Sequence, residues 1–450
     1  MKTNMSNKEV LAIGLMMFAL FLGAGNMIFP PAMGQESGTN VWMATLGFLI
    51  TGVGLPVLAV IAIARTGGNL QSLANRINPL FGVIFTLTMY LAIGPFFGIP
   101  RTATVAFEIG GIPFLPESLN PNGLPLFIYS IVFFGITFWL ALNPSKLVGR
   151  IGKVLTPILL LLITILTIRG IASPMGSFTE PGEAYQTASL ATGFLEGYLT
   201  MDTIAALVFG IVVISRIKEQ GITDQKMIAS TTIKAGVIAG IGLSLVYLSL
   251  AYLGASSVET IGSLDNGGAI LSGVATALFG TIGTIILALV ITFACLTTSV
   301  GLVSACGEYF VKIMPKIPYA VTVGILCLFS LTMANMGLSQ LISVSLPVLV
   351  AIYPIAIVLI VLSFLHKSFN GYSQVYTGGV IGAAIVSITD GLKATELNIE
   401  AIISIYNFIP LYAEGIGWLV PAILGSIIGY FIGRGNKNDP SAEISASKAS

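Results

Sequence analysis

Apolar residues in this chain come in long unbroken runs. They follow neither the i, i+3, i+4 rhythm of a soluble helix nor the alternation of a half-buried strand. A helix crosses the roughly 30 Å of bilayer hydrocarbon with about 20 such residues. The runs predict twelve spanning helices, at 8–29, 41–64, 79–107, 124–142, 147–168, 189–214, 233–254, 277–307, 317–335, 338–365, 373–391 and 415–433. No Asp, Glu, Lys or Arg occurs from 317 to 365, a stretch too long for one span, so Asn335-Met336-Gly337 is read as a turn. The short alternating segments of a membrane barrel are absent. The predicted fold class is all-α integral membrane, with a single transmembrane domain over residues 1–435. The polar, small-residue stretch 436–450 is expected to be a disordered cytoplasmic tail.

Composition sharpens this. Charged residues are 9% of the chain, hydrophobic residues 55%, and the mean hydropathy is +0.95. A water-soluble domain carries about 25% charged residues, which excludes a soluble enzyme, a nucleic-acid binder and a disordered chain. The net charge of +1 supplies no basic field for nucleic acid. With both termini inside, every Lys and Arg except Arg101, Arg169 and Lys393 falls on an inner segment, and the outer loops carry Glu36, Glu117, Glu180, Glu183, Glu259, Asp265, Glu396, Glu400 and Glu414. That asymmetry is the expected mark of a multi-pass protein with cytoplasmic termini. The first run lacks a cleavage site and reads as a retained helix.

Cys295, Cys306 and Cys327 lie in apolar runs without CxxC spacing and read as buried thiols. His366, the single histidine, ends an apolar run beside Lys367 and reads as an interface residue. The carboxylates within the runs (Glu108, Glu196, Asp202, Glu308 and Asp390) are scattered, with no nucleophile–base pair or metal cluster, so an intramembrane enzyme is disfavoured. No channel filter motif and no nucleotide-binding loop is present.

In lipid every peptide N–H and C=O needs a partner, so a helix interrupted at depth marks a site. Phe21-Leu22-Gly23-Ala24-Gly25-Asn26 in the first span and Glu196-Gly197-Tyr198-Leu199-Thr200-Met201-Asp202 in the sixth predict two such interruptions. Each Gly lowers helix propensity by about 1 kcal/mol, and a mid-bilayer Asp costs roughly 2.5–3.5 kcal/mol. The interruptions lie five spans apart. Two five-helix repeats of inverted orientation would produce that spacing, with repeat one at about 8–168, repeat two at about 189–365, and helices eleven and twelve added at about 373–433. In the eighth span, Ala294-Cys295-Leu296-Thr297-Thr298-Ser299 offers hydroxyls. They either back-bond to their own helix or supply hard oxygen ligands to a small monovalent cation.

The segment Gly23-Ala24-Gly25-Asn26-Met27-Ile28-Phe29-Pro30-Pro31, set in this twelve-span plan, resembles the branched-chain amino acid:cation symporter family (LIVCS, the BrnQ type) over nearly the whole chain. The resemblance implies a LeuT-type five-plus-five fold. It implies one cation on the carbonyls of Ala19, Leu22 and Ala294 and the hydroxyls of Thr297 and Thr298. A possible second cation would lie on Phe21, Asn26 and Thr200. Substrate would lie on Gly23, Ala24, Gly25, Tyr198, Leu199, Thr200 and Asp202, its carboxylate on freed backbone N–H groups and its ammonium on Asp202. The outer-gate arginine of that fold is absent, with Phe29 in its place. Arg101 is a candidate replacement, although snorkelling to the outer interface is the favoured reading.

The expected function is therefore symport of Leu, Ile and Val across the bacterial cytoplasmic membrane, not catalysis. The coupling ion is Na⁺, with Li⁺ and H⁺ as alternatives, and no organic cofactor or obligatory protein partner is expected. Lys153 is the candidate for a proton-coupled variant, read instead as a positive-inside residue. Another neutral amino acid or a nucleobase is the alternative cargo.

Overall fold

The computed structural model describes residues 5–66, 68–116, 118–142, 147–395, 405–406 and 408–435, and of 147–156 the backbone alone. The expected tail at 436–450 and the Lys153 side chain lie outside the described residues.

The described chain is helical. In order, the α-helices are α1 Asn7–Phe21, α2 Ala24–Ser37, α3 Val41–Leu49, α4 Leu55–Arg65, α5 Leu70–Ala74, α6 Pro79–Leu91, α7 Gly98–Gly110, α8 Leu124–Ala141 and α9 Leu147–Ala172. They continue as α10 Glu183–Glu196, α11 Asp202–Glu219, α12 Gln225–Ala255, α13 Val258–Ile261, α14 Gly267–Ile313, α15 Tyr319–Ala334, α16 Leu338–Leu365, α17 Ser373–Lys393 and α18 Leu419–Gly435. Wide π-type turns at Ile50–Gly54 and Ala92–Phe96 connect α3 to α4 and α6 to α7.

Seven stretches are long and apolar enough to cross a membrane: Ala24–Arg65, Pro79–Phe114, Leu124–Ala141, Gln225–Ala255, Gly267–Ile313, Leu338–Leu365 and Ser373–Lys393. The pair Glu183–Thr200 and Asp202–Glu219, bent by 45°, makes an eighth if it is one span. Tyr319–Ala334 and Leu419–Gly435 are shorter apolar helices, and α9 is apolar over Pro157–Ala172. Length and apolarity alone thus mark fewer spans than the twelve expected. Part of the difference is α1, which stops at Phe21, so the first run is divided between two helices. Two stretches also double back. Gly38, at φ 49, ends α2 against the carbonyl of Thr179, and Gly280, at φ 61, bends α14 away from its first three turns.

The polarity of the molecule is inverted relative to a soluble protein. Leu80, Trp139, Ile282 and Phe431 are exposed, whereas Thr45, Thr203, Ser299 and Ser345 are buried. Helices that meet in hydrocarbon have no hydrophobic drive toward one another and depend on close approach. Glycines provide it. α1 and α2 pack along α12, α10 along α3, and α11 along α4. A Cβ on Gly34 would lie 2.2 Å from the Ala251 carbonyl oxygen and one on Gly254 2.1 Å from that of Pro31, which locks α2 to α12. Gly47 and Gly193 do the same for α3 and α10, with 2.0 Å to Leu190 and 1.9 Å to Ala44. Gly378 and Gly425 face each other's carbonyls at 2.0 and 2.1 Å between α17 and α18. α16 and α17 pack together, and α14 runs through the middle against α7, α2 and α9.

Gly193→Ala is therefore expected to destabilise the protein by about 1–3 kcal/mol, since backbone must move to admit the methyl group. Gly301→Ala, with nothing within 4 Å of its new Cβ, is expected to be neutral or mildly stabilising. Thermal unfolding of the two purified variants in detergent checks the contrast.

Candidate functional site

The first helix breaks where two glycines and an asparagine meet. Gly23 is extended, at φ −108 and ψ −170. Its N–H would have reached the Ala19 carbonyl in a continuous helix. Instead it donates to Asn26 Oδ1 at 2.8 Å and to the Phe21 carbonyl at 2.8 Å. Asn26 thus caps the helix restart at α2 and leaves the Ala19 carbonyl without its helical donor.

The second break is a single 3-10 turn, Gly197–Thr200, ended by Met201 in the left-handed region at φ 63 and ψ 13. A non-glycine residue there costs of the order of 1–3 kcal/mol and tends to persist at functional sites. Side chains repair the loosened backbone: Thr200 Oγ1 donates to the Gly197 carbonyl at 2.9 Å and accepts from the Asp202 N–H at 3.3 Å. The two breaks touch, since a Cβ on Gly25 would lie 3.1 Å from the Thr200 carbonyl oxygen.

Across this junction Asn26 Nδ2 donates to Asp202 Oδ2 at 2.6 Å, and the Tyr247 hydroxyl donates to the same oxygen at 2.7 Å. Asn26 Nδ2 also hydrogen-bonds the Tyr247 oxygen. All three residues are buried. Tyr247 comes from α12 and is braced edge-on by Phe48, with ring centroids 5.2 Å apart. One carboxylate therefore ties α2, α11 and α12 together.

A third interruption lies in the 79–107 run. Gly94 is non-helical at ψ −121 and precedes Pro95, which has no N–H to give. A Cβ on Gly98 would sit 2.0 Å from the Ile93 carbonyl oxygen. α7 starts after this kink, with Arg101 in its first turn. Arg101 does not snorkel. It is only 2% exposed, donates through Nη1 to the Leu199 carbonyl and through Nη2 to Ser345 Oγ at 3.1 Å, and lies over the Phe29 ring at 5.1 Å. The kink turns the start of α7 inward, so the side chain reaches the second break instead of the membrane interface.

These elements enclose a cavity of about 50 Å³. Of the residues expected at the site, Phe21, Gly23, Ala24, Gly25, Asn26, Thr200, Asp202 and Thr298 line it. Tyr198 and Leu199 do not: Tyr198 stacks on Tyr353 at 4.4 Å, and the Leu199 carbonyl is taken by Arg101. Ala19, Leu22, Ala294 and Thr297 also stand outside the lining. The Ala294 carbonyl accepts both the Thr297 and Thr298 hydroxyls, at 2.8 and 3.0 Å, so the back-bonding reading of these hydroxyls describes this conformation. The Thr298 methyl group nevertheless sits 3.6 Å from where a Gly23 Cβ would be. Leu20, Ile93, Ala205, Phe209 and Leu302 supply apolar wall. Tyr247 and the Arg101 contact were not anticipated. A tyrosine buried in an apolar helix implies a hidden partner for its hydroxyl, but not which one.

A family model described as branched-chain amino acid transport protein matches residues 6–436. The chain is 51% identical over 433 residues to the branched-chain amino acid permease BraB of Bacillus subtilis (strain 168), covering 96% of this chain and 97% of that one. It is 43% identical over 424 residues to the permease BrnQ of Escherichia coli (strain K12), covering 94% and 95%. Among solved structures, Mhp1, a nucleobase-cation-symport-1 family transporter in a closed conformation with bromovinylhydantoin bound, superposes with a TM-score of 0.63 at 14% identity, covering 96% of this chain and 94% of Mhp1. MhsT in complex with L-phenylalanine gives a TM-score of 0.56 at 16% identity, covering 98% and 100%. These two likenesses concern the fold, which is that of LeuT-like transporters. The full-length match and the identities near one half are decisive for descent: the chain belongs to the branched-chain amino acid transport protein family.

Proposed function

We propose that the protein is a secondary active symporter that brings Leu, Ile and Val across the bacterial cytoplasmic membrane together with a monovalent cation, Na⁺ in the first instance, by alternating access. The observation that carries this is the meeting of two broken helices on one buried cavity that bears a carboxylate at its polar end and aliphatic and aromatic side chains elsewhere. Asp202 takes the substrate ammonium, and Ile93, Ala205, Phe209 and Leu302 take the branched side chain.

On this reading the chain has twelve spans with both termini cytoplasmic, arranged as two inverted repeats of five followed by α17 and α18. The packing supports it. Both halves of the first broken helix lie along α12, and both halves of the sixth lie on α3 and α4. Exchanging the repeats maps the first relation onto the second. α8 against α15, and α7 against α14, map onto themselves.

The cation site uses the freed Ala19 carbonyl with Leu22, Ala294, Thr297 and Thr298. With their protons directed at Ala294, the two hydroxyls keep lone pairs for an ion. Phe21, Asn26 and Thr200 form the second, optional site. A proton-coupled mechanism is the alternative, and the observation that favours it is Asp202 itself, a buried carboxylate with a tyrosine hydroxyl on one oxygen.

Uptake of labelled leucine into proteoliposomes is expected under an imposed inward Na⁺ gradient. Failure of Na⁺, Li⁺ and H⁺ gradients alike would reject symport. Thr297→Val combined with Thr298→Val is expected to abolish Na⁺ stimulation, and stimulation that survives in the double variant rejects the site. Asp202→Asn is expected to raise KM for leucine about tenfold or more, in line with the loss of a charge-assisted hydrogen bond. Tyr247→Phe, which leaves the charge in place, is expected to cost less. Initial-rate kinetics on both variants decide; equal effects would deny Asp202 direct contact with substrate.

A further inference from the structure

Arg101 is a buried guanidinium whose acceptors are both neutral. It has five N–H donors. The bonds made to protein go to the Leu199 carbonyl and the Ser345 hydroxyl, and Nε has no partner. Among the described residues no carboxylate oxygen lies within 4.0 Å of it, and the ion pair present, Arg216–Glu219, is elsewhere and exposed. A charge removed from water needs an opposite charge as well as hydrogen bonds. Arg101 belongs to the wall of the same cavity as Asp202.

The backbone donors expected to receive a carboxylate are already partly used. The Gly23 N–H is capped by Asn26 Oδ1, and the Asp202 N–H by Thr200 Oγ1. The cavity therefore has one acceptor pole, Asp202, and one donor pole with capacity to spare, Arg101. We infer that Arg101 receives the α-carboxylate of the transported amino acid, so that the zwitterion lies between Arg101 and Asp202. The inference rests on the reading of this cavity as the amino-acid site. A planar fork matches a carboxylate through two parallel hydrogen bonds, which a lysine cannot reproduce. Through its bonds to Leu199 and Ser345, the same guanidinium joins the break before α11 to α16. Carboxylate binding at Arg101 thus bears on the contact between those helices.

The test compares leucine with leucinamide, which keeps the ammonium and the side chain and lacks the carboxylate. Binding is read as the ligand-dependent thermal shift of purified protein in detergent, with no gradient imposed. Wild-type protein is expected to bind leucinamide at least about tenfold more weakly than leucine, as for loss of a charge-assisted pair. In Arg101→Gln the two ligands are expected to bind within about threefold of each other, because leucine is weakened and leucinamide is not. Arg101→Lys retains the buried charge and guards against loss of the fold; in it the gap is expected to narrow, since an ammonium cannot fork. Equal binding of the two ligands by wild type, or an unchanged gap in either variant, overturns the inference. Gradient-driven uptake by the wild type reports separately on symport, so the two readings fail by different measurements.

Discussion

A peptide group left unpaired in hydrocarbon costs several kcal/mol, and the centre of this molecule is organised by how that cost is avoided. Three helices are interrupted around one cavity, and two of the interruptions are repaired by side chains that line it. Asn26 caps Gly23, Thr200 bridges Gly197 and Asp202, and Arg101 takes the carbonyl of Leu199. The repairing residues are also the polar wall of the cavity. Anything that competes for Asn26, Asp202 or Arg101 alters how the breaks are satisfied, and so favours one arrangement of the half-helices over another. On the proposed reading, this couples ligand binding to helix arrangement through shared hydrogen bonds, as a population shift requires.

Those shared bonds explain which parts of the site were legible in the sequence. Gly23-x-Gly25-Asn26 and Gly197 to Asp202 stood out because glycine and polar residues are costly in an apolar run, and the structure breaks both helices there. The third break was visible only as Pro95, one proline among many. A proline says that a helix will bend, not which way. The direction of that bend decides the fate of Arg101, so a rule that depends on distance to the interface misplaced it. Tyr247 had no signal beyond its hydroxyl, because its partners lie 221 and 45 residues away. Thr297 and Thr298 were ambiguous between self-bonding and ligation, and this conformation has them bonded to their own helix. The number of spans was less secure than the breaks, since a cut helix and two short ones do not meet a length criterion one at a time.

The packing around the site favours movement by bodies rather than by local melting. Paired glycines hold α2 to α12 and α3 to α10 at backbone distance, where small displacements collide. Asp202 bonds α2 and α12, which share one such seam, to α11, which lies outside it. Arg101 likewise reaches from α7 to the break before α11 and to α16. The polar centre thus joins the glycine-locked α2–α12 pair to α7, α11 and α16.

Charge balance gives this joint a further property. Asp202 and Arg101 bring a carboxyl group and a guanidinium to one cavity without being paired to each other within 4.0 Å. With both ionised, they leave the empty site neutral. On the proposed reading, a zwitterionic substrate complements both poles and adds no net charge, so it replaces two incomplete solvation shells at once, whereas a ligand with only one charged group relieves one pole and leaves the other buried. On the symport reading the loaded carrier then differs from the empty one by the charge of the bound cation alone. The membrane potential, worth about 2.3 kcal/mol per elementary charge per 100 mV, acts on the loaded step and spares the return. On that reading, a neutral, two-poled cavity would let a voltage drive import of a zwitterion without holding the empty carrier on one side.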